Sequence, residues 1–150
     1  MSSRIIAIEI IKEVIEKNLP LKIVLDLCLF NTGVKLWFYL SIGGLGLFFF
    51  LRFLKISNYS SLFAGIAYSL TPYVFGLISA GHNNKIMAGG FIPWVVFGAI
   101  YMFKYPSIKS VLFLSIASAL QLWTNHPQIV YYTWMVIGLW WLLDLIFIIV

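Results

Sequence analysis

The sequence predicts an all-α protein: a polytopic transmembrane helical bundle of about five crossing helices, preceded by an N-terminal amphipathic helix at the membrane interface. Of its 150 residues, 62% are hydrophobic and only 10% are charged, whereas soluble domains carry about 25% charged residues. The mean hydropathy is +0.99. The net charge of +5 comes from basic residues placed between long apolar runs, as is typical of topology determinants. We therefore expect a lipid bilayer as partner and no nucleic acid.

Residues 1–33 are predicted to form the interfacial segment. Glu9, Glu13 and Glu16 fall opposite an arc of isoleucine and valine side chains when the chain is wound at 3.6 residues per turn. Charges recur every few residues, which excludes a crossing helix and a secretory signal. After Pro20, the apolar residues 23–30 are too few to cross and are predicted to be a re-entrant or second interfacial piece.

Residues 34–150 are predicted to form the transmembrane region, because a crossing helix needs about 20 mostly apolar residues. Pro72 and Pro93 are expected to kink the second and third spans. Gly43, Gly44 and Gly46 in the first span would allow close helix packing. The predicted spans are residues 36–51, 60–80, 86–103, 108–123 and 129–150.

Orientation is predicted from the basic residues in the short loops, because Lys and Arg are retained on the cytoplasmic side. Arg52 with Lys55, and Lys104 with Lys109, mark two inner loops. The two remaining loops then fall on the extracytoplasmic face of the cell membrane. These two outer loops, Gly81–Lys85 and Thr124–Gln128, are polar and contain His82 and His126, the two histidines of the chain.

The two polar loops are where we expect function, since an unpaired polar group near hydrocarbon is costly. The Lys85 ammonium suits a phosphate oxygen, and His82 can donate to the same group or shuttle a proton. The amide side chains can hold sugar hydroxyls, and the tyrosines can offer a stacking face. The candidate substrate-binding or lipid-phosphate-binding residues are His82, Asn83, Asn84, Lys85, Asn125, His126, Gln128, Tyr131 and Tyr132.

A structural interpretation of the same residues stays open. Asn83 and Asn125 would cap helices, Lys85 would snorkel to lipid headgroups, and Gly81 and Pro127 would shape turns. We predict no metal site, because two histidines need a carboxylate nearby and neither loop supplies one.

The motifs in these loops resemble those of the YfhO-type bacterial membrane proteins. The similarity lies in the run from Ser79 to Ile86, the run from Leu120 to Gln128, and the following Tyr131-Tyr132 pair, and it covers residues 34–150. The resemblance implies a GT-C-like glycosyltransferase, which moves a sugar from a polyprenyl-phosphate carrier to a cell-envelope polymer or lipid. No cofactor is identified, and the polyprenyl-phosphate-linked sugar would be the donor substrate.

The sequence departs from that family in length and in its acidic residues. Such proteins are several-fold longer, and they place an essential acid in the first external loop, after an initial crossing helix. We therefore expect a fragment or a truncated gene product that lacks the catalytic acid, and the catalytic residue is left unassigned. Two alternatives remain: a transporter or flippase element with a His-lined polar path, and a non-catalytic packing module built on glycine motifs.

Overall fold

A computed structural model describes residues 21–149 of the chain, together with the side chains of residue 33 and residues 35–146. These residues form six helices and no strand, so the predicted all-α class is confirmed. The predicted amphipathic helix before residue 21 lies outside the described residues. The helices are α1 (Leu21–Phe53), α2 (Asn58–Ser69), α3 (Pro72–Ser79), α4 (Asn83–Lys104), α5 (Ile108–Trp123) and α6 (Pro127–Ile149).

The chain divides into two units within α1. The first unit ends at Phe38 and the second begins at Tyr39. In the described part of the first unit, α1 runs without a break from Leu21. Residues 23–30 are therefore not a separate piece, since they continue into the helix of the first predicted span, and their position at the membrane interface stays a prediction. All contacts described below belong to the second unit.

The second predicted span is broken into two helices and is not a single kinked one. Leu70 ends α2, and its N–H donates to the Ile66 carbonyl at 3.0 Å. Thr71 is extended, with φ −61° and ψ 138°. The cause is Pro72, whose ring disfavours the helical conformation of the preceding residue and which lacks the N–H that would continue the ladder. Pro93, by contrast, lies inside the continuous helix α4.

Four stretches of the described residues are long and apolar enough to cross a membrane: Lys35–Phe53, Asn58–Ser79, Asn83–Lys104 and Pro127–Ile146. The protein is thus a helical membrane protein. The fourth predicted span matches α5, Ile108–Trp123, which has 16 residues. At 1.5 Å per residue it is about 24 Å long, shorter than the ~30 Å hydrocarbon core of a bilayer.

Helix α4 is the centre of the second unit and packs against α3, α5 and α6. Its inner residues Val95 and Ala99 form a buried core with Leu114 and Ala117 of α5 and Ile137 of α6. Small side chains let the helices approach closely. A Cβ on Gly98 would lie 3.0 Å from the Leu114 Cα, so the α4–α5 approach depends on a glycine at that position.

The glycines of α1 also make contacts within this unit. A Cβ on Gly43 would lie 3.2 Å from the Gly90 Cα, and one on Gly44 would lie 2.8 Å from the Gly65 carbonyl oxygen. The Trp94 indole N–H donates to the Ile42 carbonyl at 2.9 Å. The close packing predicted for Gly43 and Gly44 is therefore present, and it joins α1 to α2 and α4 of the same chain.

Candidate functional site

The two polar loops have closely similar backbones. Gly81 follows α3 with φ +70°, and Asn125 follows α5 with φ +54°, a left-handed conformation that Gly and Asn adopt most readily. The Gly81 N–H donates to the Ile78 carbonyl at 3.0 Å, and the Asn125 N–H donates to the Leu122 carbonyl at 3.0 Å. Both residues therefore end a helix. The predicted turn role of Gly81 is confirmed.

The histidine of each loop stands directly before the next helix. The His82 carbonyl accepts from the Lys85 N–H at 3.0 Å, and the His126 carbonyl accepts from the Ile129 N–H at 3.2 Å. His82, not Asn83, occupies the N-cap position of α4, and its side chain makes no capping hydrogen bond. The expectation that Asn83 caps a helix was therefore wrong, whereas Asn125 does end α5, in the left-handed conformation typical of a C-terminal helix cap. Pro127 begins α6, where its missing N–H costs nothing.

Two candidate residues, one in the first polar loop and one just after the second, line a common cavity. Lys85 on α4 and Tyr132 on α6 border a space of about 340 Å³, most of whose wall is apolar. Residues of α1, α2 and α3 complete the wall. The polar side chains in this lining are Tyr39, Tyr68, Thr71, Tyr73, Lys85 and Tyr132, and the remaining residues are Leu40, Val74, Leu77, Ile86, Gly89, Gly90, Ile92 and Ile129.

Lys85 gives this cavity its charge. Among the described residues it is the only cationic side chain in the lining, and no carboxylate lines the cavity. The Lys85 side chain is half-buried and the residue lines a weakly polar space, in which the attraction between an ammonium and an anion is stronger than in water. The cavity is therefore suited to a ligand with one anionic group and an apolar remainder.

Gly89 leaves room in the cavity. A Cβ built on Gly89 meets no atom within 4 Å, so the free space reaches the α4 backbone there. The Tyr68 hydroxyl donates to the Gly89 carbonyl at 2.8 Å, so these two polar groups of the wall are hydrogen-bonded to each other. Neighbouring Gly90 differs, because a Cβ there would clash with the backbone of Tyr39.

The second polar loop contributes through Tyr132. The Gln128 amide donates to the Tyr132 hydroxyl at 3.2 Å, and the ring of Tyr131 lies 5.8 Å from that of Tyr132. Tyr131 is not part of the cavity lining and is exposed, as is Gln128. Gln128 thus supports a lining residue and does not itself reach the cavity.

The other candidate residues do not line this cavity. His82 and Asn125 are exposed, whereas Asn83, Asn84 and His126 are half-buried. The Nδ1 atom of His126 is buried and has no hydrogen-bond partner in the described part of the chain. Across residues 21–149, no three His, Cys, Asp or Glu side chains come close enough to hold a metal ion.

Sequence reasoning missed the tyrosines of the first helices and a buried polar group on α5. Tyr39 and Tyr68 line the cavity, but in sequence they lie within apolar runs and give no sign of converging. Gln121 is fully buried, with 0% of its surface exposed. A carboxamide inside an apolar helix is itself a signal of an interhelical contact, and that signal could have identified Gln121.

No known protein family matches the chain, and no curated protein or solved structure matches it. The similarity to YfhO-type proteins therefore remains a prediction from the two loop motifs.

Proposed function

We propose that this protein binds the phosphate end of a polyprenyl-phosphate-linked sugar, as part of a YfhO-type extracytoplasmic glycosyltransferase that modifies a cell-envelope polymer or lipid. The observation that carries the proposal is the shared cavity: Lys85 of the first polar loop and Tyr132, which follows the second, border the same mostly apolar space. This is the arrangement that an amphiphilic anion requires.

The chemistry of the lining favours a lipid phosphate over a free sugar phosphate. The ammonium of Lys85 can donate to phosphate oxygens in a charge-assisted hydrogen bond. The aliphatic wall formed by Leu40, Val74, Leu77 and Ile86 can bury hydrocarbon, which contributes roughly 0.8 kcal/mol per methylene. A free sugar phosphate would leave that apolar wall without a partner.

The proposed role is donor binding and not the chemical step. A sugar transfer needs a general base to activate the acceptor, and the described lining of this cavity offers no Asp or Glu. His82 lies in the first polar loop, four residues before Ile86 of the cavity wall, and is exposed. From the loop, its imidazole can donate to the phosphate or carry a proton. The acid or base that completes the reaction is not assigned.

A second candidate function is transport or flipping of such a lipid. The break at Thr71 divides the Asn58–Ser79 stretch into α2 and α3, and both Thr71 and Tyr73 line the cavity. Discontinuous helices that border a binding site are typical of transporters. A flippase would move a fluorescent prenyl phosphate across a liposome bilayer without any acceptor, whereas a transferase component would not.

The proposed function is tested by comparing two lysine variants in cells whose envelope glycosylation depends on this gene. We expect Lys85→Ala to abolish glycosylation, because the phosphate loses its cation, while membrane insertion stays normal. We expect Lys109→Ala, which removes an exposed lysine on α5, to keep parental glycosylation. Full glycosylation in the inserted Lys85→Ala variant would rule out the phosphate site.

A further inference from the structure

We infer that Gln121 is a positioning residue that holds α4 against α6 and thereby fixes the spacing of Lys85 and Tyr132 across the cavity. The effect on ligand binding rests on the proposed function, whereas the effect on spacing does not. Gln121 lies on α5, outside the cavity lining, so it acts through the helices that it bridges.

The bridge consists of one carboxamide between two helices. The Gln121 amide nitrogen lies 3.1 Å from the Thr133 hydroxyl of α6 and 3.5 Å from the Ala88 carbonyl of α4. The second distance is at the long end of a hydrogen bond. Thr133 is fixed on α6, since its hydroxyl donates to the Ile129 backbone carbonyl at 2.8 Å. The backbone of Gln121 is also bonded, because its carbonyl accepts from the Thr124 hydroxyl at 2.7 Å.

Both anchor points of this bridge are next to the cavity residues. Ala88 lies three residues after Lys85, less than one turn along α4, and Thr133 directly follows Tyr132 on α6. A helix rises 1.5 Å per residue and is stiff over one turn. A shift of Ala88 relative to Thr133 therefore moves Lys85 relative to Tyr132 by a similar amount.

The energetics indicate a role other than packing. The Gln121 side-chain oxygen is buried and has no hydrogen-bond partner among the described residues. A buried polar atom without a partner carries a desolvation cost, and an apolar side chain of the same size avoids it. A leucine would fill this position at lower cost but would lack the donor that contacts both helices, so the benefit of the carboxamide lies in registering α4 against α6.

Two near-isosteric variants remove the bridge in steps. Gln121→Leu removes both amide contacts, and Thr133→Val removes only the contact to α6. Ser110→Ala is the matched control, because Ser110 is also fully buried on α5, and its hydroxyl donates to the Tyr105 carbonyl at 2.9 Å at the other end of the helix. If the loss of any buried hydrogen bond were enough to change the spacing of Lys85 and Tyr132, all three variants would change it alike.

Spacing is measured by thiol cross-linking in the full chain. Lys85→Cys and Tyr132→Cys are introduced together in a Cys28→Ser background, and the protein is treated in detergent with bis-maleimides of increasing length. We expect a bis-maleimide of one particular length to cross-link the two cysteines best, both in this parent protein and in its Ser110→Ala form. We expect a shifted or broadened length preference with Gln121→Leu and a smaller change with Thr133→Val.

Ligand binding is measured separately, with Lys85 and Tyr132 intact and farnesyl phosphate as the probe. We expect Gln121→Leu to weaken binding about five- to tenfold, the effect of roughly one net hydrogen bond, while its melting temperature stays at or above that of the parent. We expect Ser110→Ala to lower the melting temperature and leave the affinity unchanged.

The two measurements separate the two ideas. If the parent binds no farnesyl phosphate but Gln121→Leu shifts the cross-linking preference, the proposed function fails and the positioning role of Gln121 is supported. If Gln121→Leu and Thr133→Val keep the parental cross-linking preference, the positioning role is overturned whatever the lipid result.

Discussion

Lys85 and Gly89 define the cavity at the scale of single residues, one by its charge and the other by its lack of a side chain. Lys85 is the only cation among the described residues of the lining. Gly89 lies one turn further along the same face of α4 and leaves more than 4 Å free around its Cβ position. Ligand binding should therefore respond to a change in volume at Gly89 as well as to a change in charge at Lys85.

Gly89→Leu is predicted to block the cavity without unfolding the protein. The new side chain projects into open space, so we expect a melting temperature within a few degrees of the parent and at least about tenfold weaker binding of farnesyl phosphate, because several methylene contacts of the ligand are lost. Binding is measured by isothermal titration in detergent.

The control for this prediction is Gly138→Leu on α6. A Cβ on Gly138 also meets no atom within 4 Å, and Gly138 is not part of the cavity lining. Unchanged binding in Gly138→Leu is expected. Equal loss of binding in both variants would show that the effect is not specific to the cavity.

At the scale of elements, glycine contacts set how closely α1 approaches its neighbours. A methyl group on Gly44 would lie 2.8 Å from the Gly65 carbonyl oxygen of α2, whereas one on Gly76 of α3 meets nothing within 4 Å. We predict that Gly44→Ala destabilises the protein by about 2 kcal/mol through overpacking, and that Gly76→Ala is neutral or slightly stabilising. Thermal unfolding in detergent checks both, and equal melting temperatures would contradict the α1–α2 packing.

The start of α5 offers a second prediction about an element. Ser107 and Ser110 form a reciprocal capping box, in which the Ser107 hydroxyl accepts from the Ser110 N–H at 3.2 Å. Ser107→Ala is expected to cost about 1 kcal/mol, seen as a lower melting temperature with unchanged farnesyl phosphate affinity. A simultaneous loss of affinity would indicate that the start of α5 is coupled to the cavity.

Helix boundaries were largely predictable because they depend on local signals. The predicted residues 108–123 coincide with α5, Ile108–Trp123, and Gly81 and Asn125 end helices through their own backbone preferences. At Pro72 the sequence predicted a kink, but the helix is fully broken there, although the restriction of Pro72 on the backbone of Thr71 is equally local. The continuity of α1 through residues 23–30 was missed because hydropathy alone cannot separate a short apolar piece from the start of a longer helix.

The cavity was beyond sequence reasoning because its wall comes from five helices. Tyr39, Tyr68 and Tyr132 line one cavity because of the glycine contacts of α1 and the packing of α4, which are long-range features. The polar loops were identified because their composition contrasts with the rest of the chain. Of the residues predicted in them, Lys85 and Tyr132 reach the cavity, and this difference depends on helix rotation, which hydropathy does not specify.

At the scale of the whole molecule, the claim is that both polar loops face the same side of the membrane. Lys85, in the first loop, and Tyr132, just after the second, border one cavity, as expected if the loops share one side. We predict that His82→Cys and His126→Cys, each in a Cys28→Ser background, react with a membrane-impermeant maleimide in intact cells, and that Lys55→Cys reacts only after lysis. Reaction of only one histidine position in intact cells would contradict the topology.

The central claim, that the cavity binds a lipid phosphate through Lys85, is tested most directly by photolabelling. The protein in detergent is irradiated with a diazirine-bearing farnesyl phosphate, and the labelled residues are located by mass spectrometry. The account predicts labelling concentrated on the cavity walls of α3, α4 and α6, competition by unlabelled farnesyl phosphate but not by farnesol, and loss of the label in Lys85→Ala. Labelling spread over the exposed helix faces and unchanged in Lys85→Ala would contradict it.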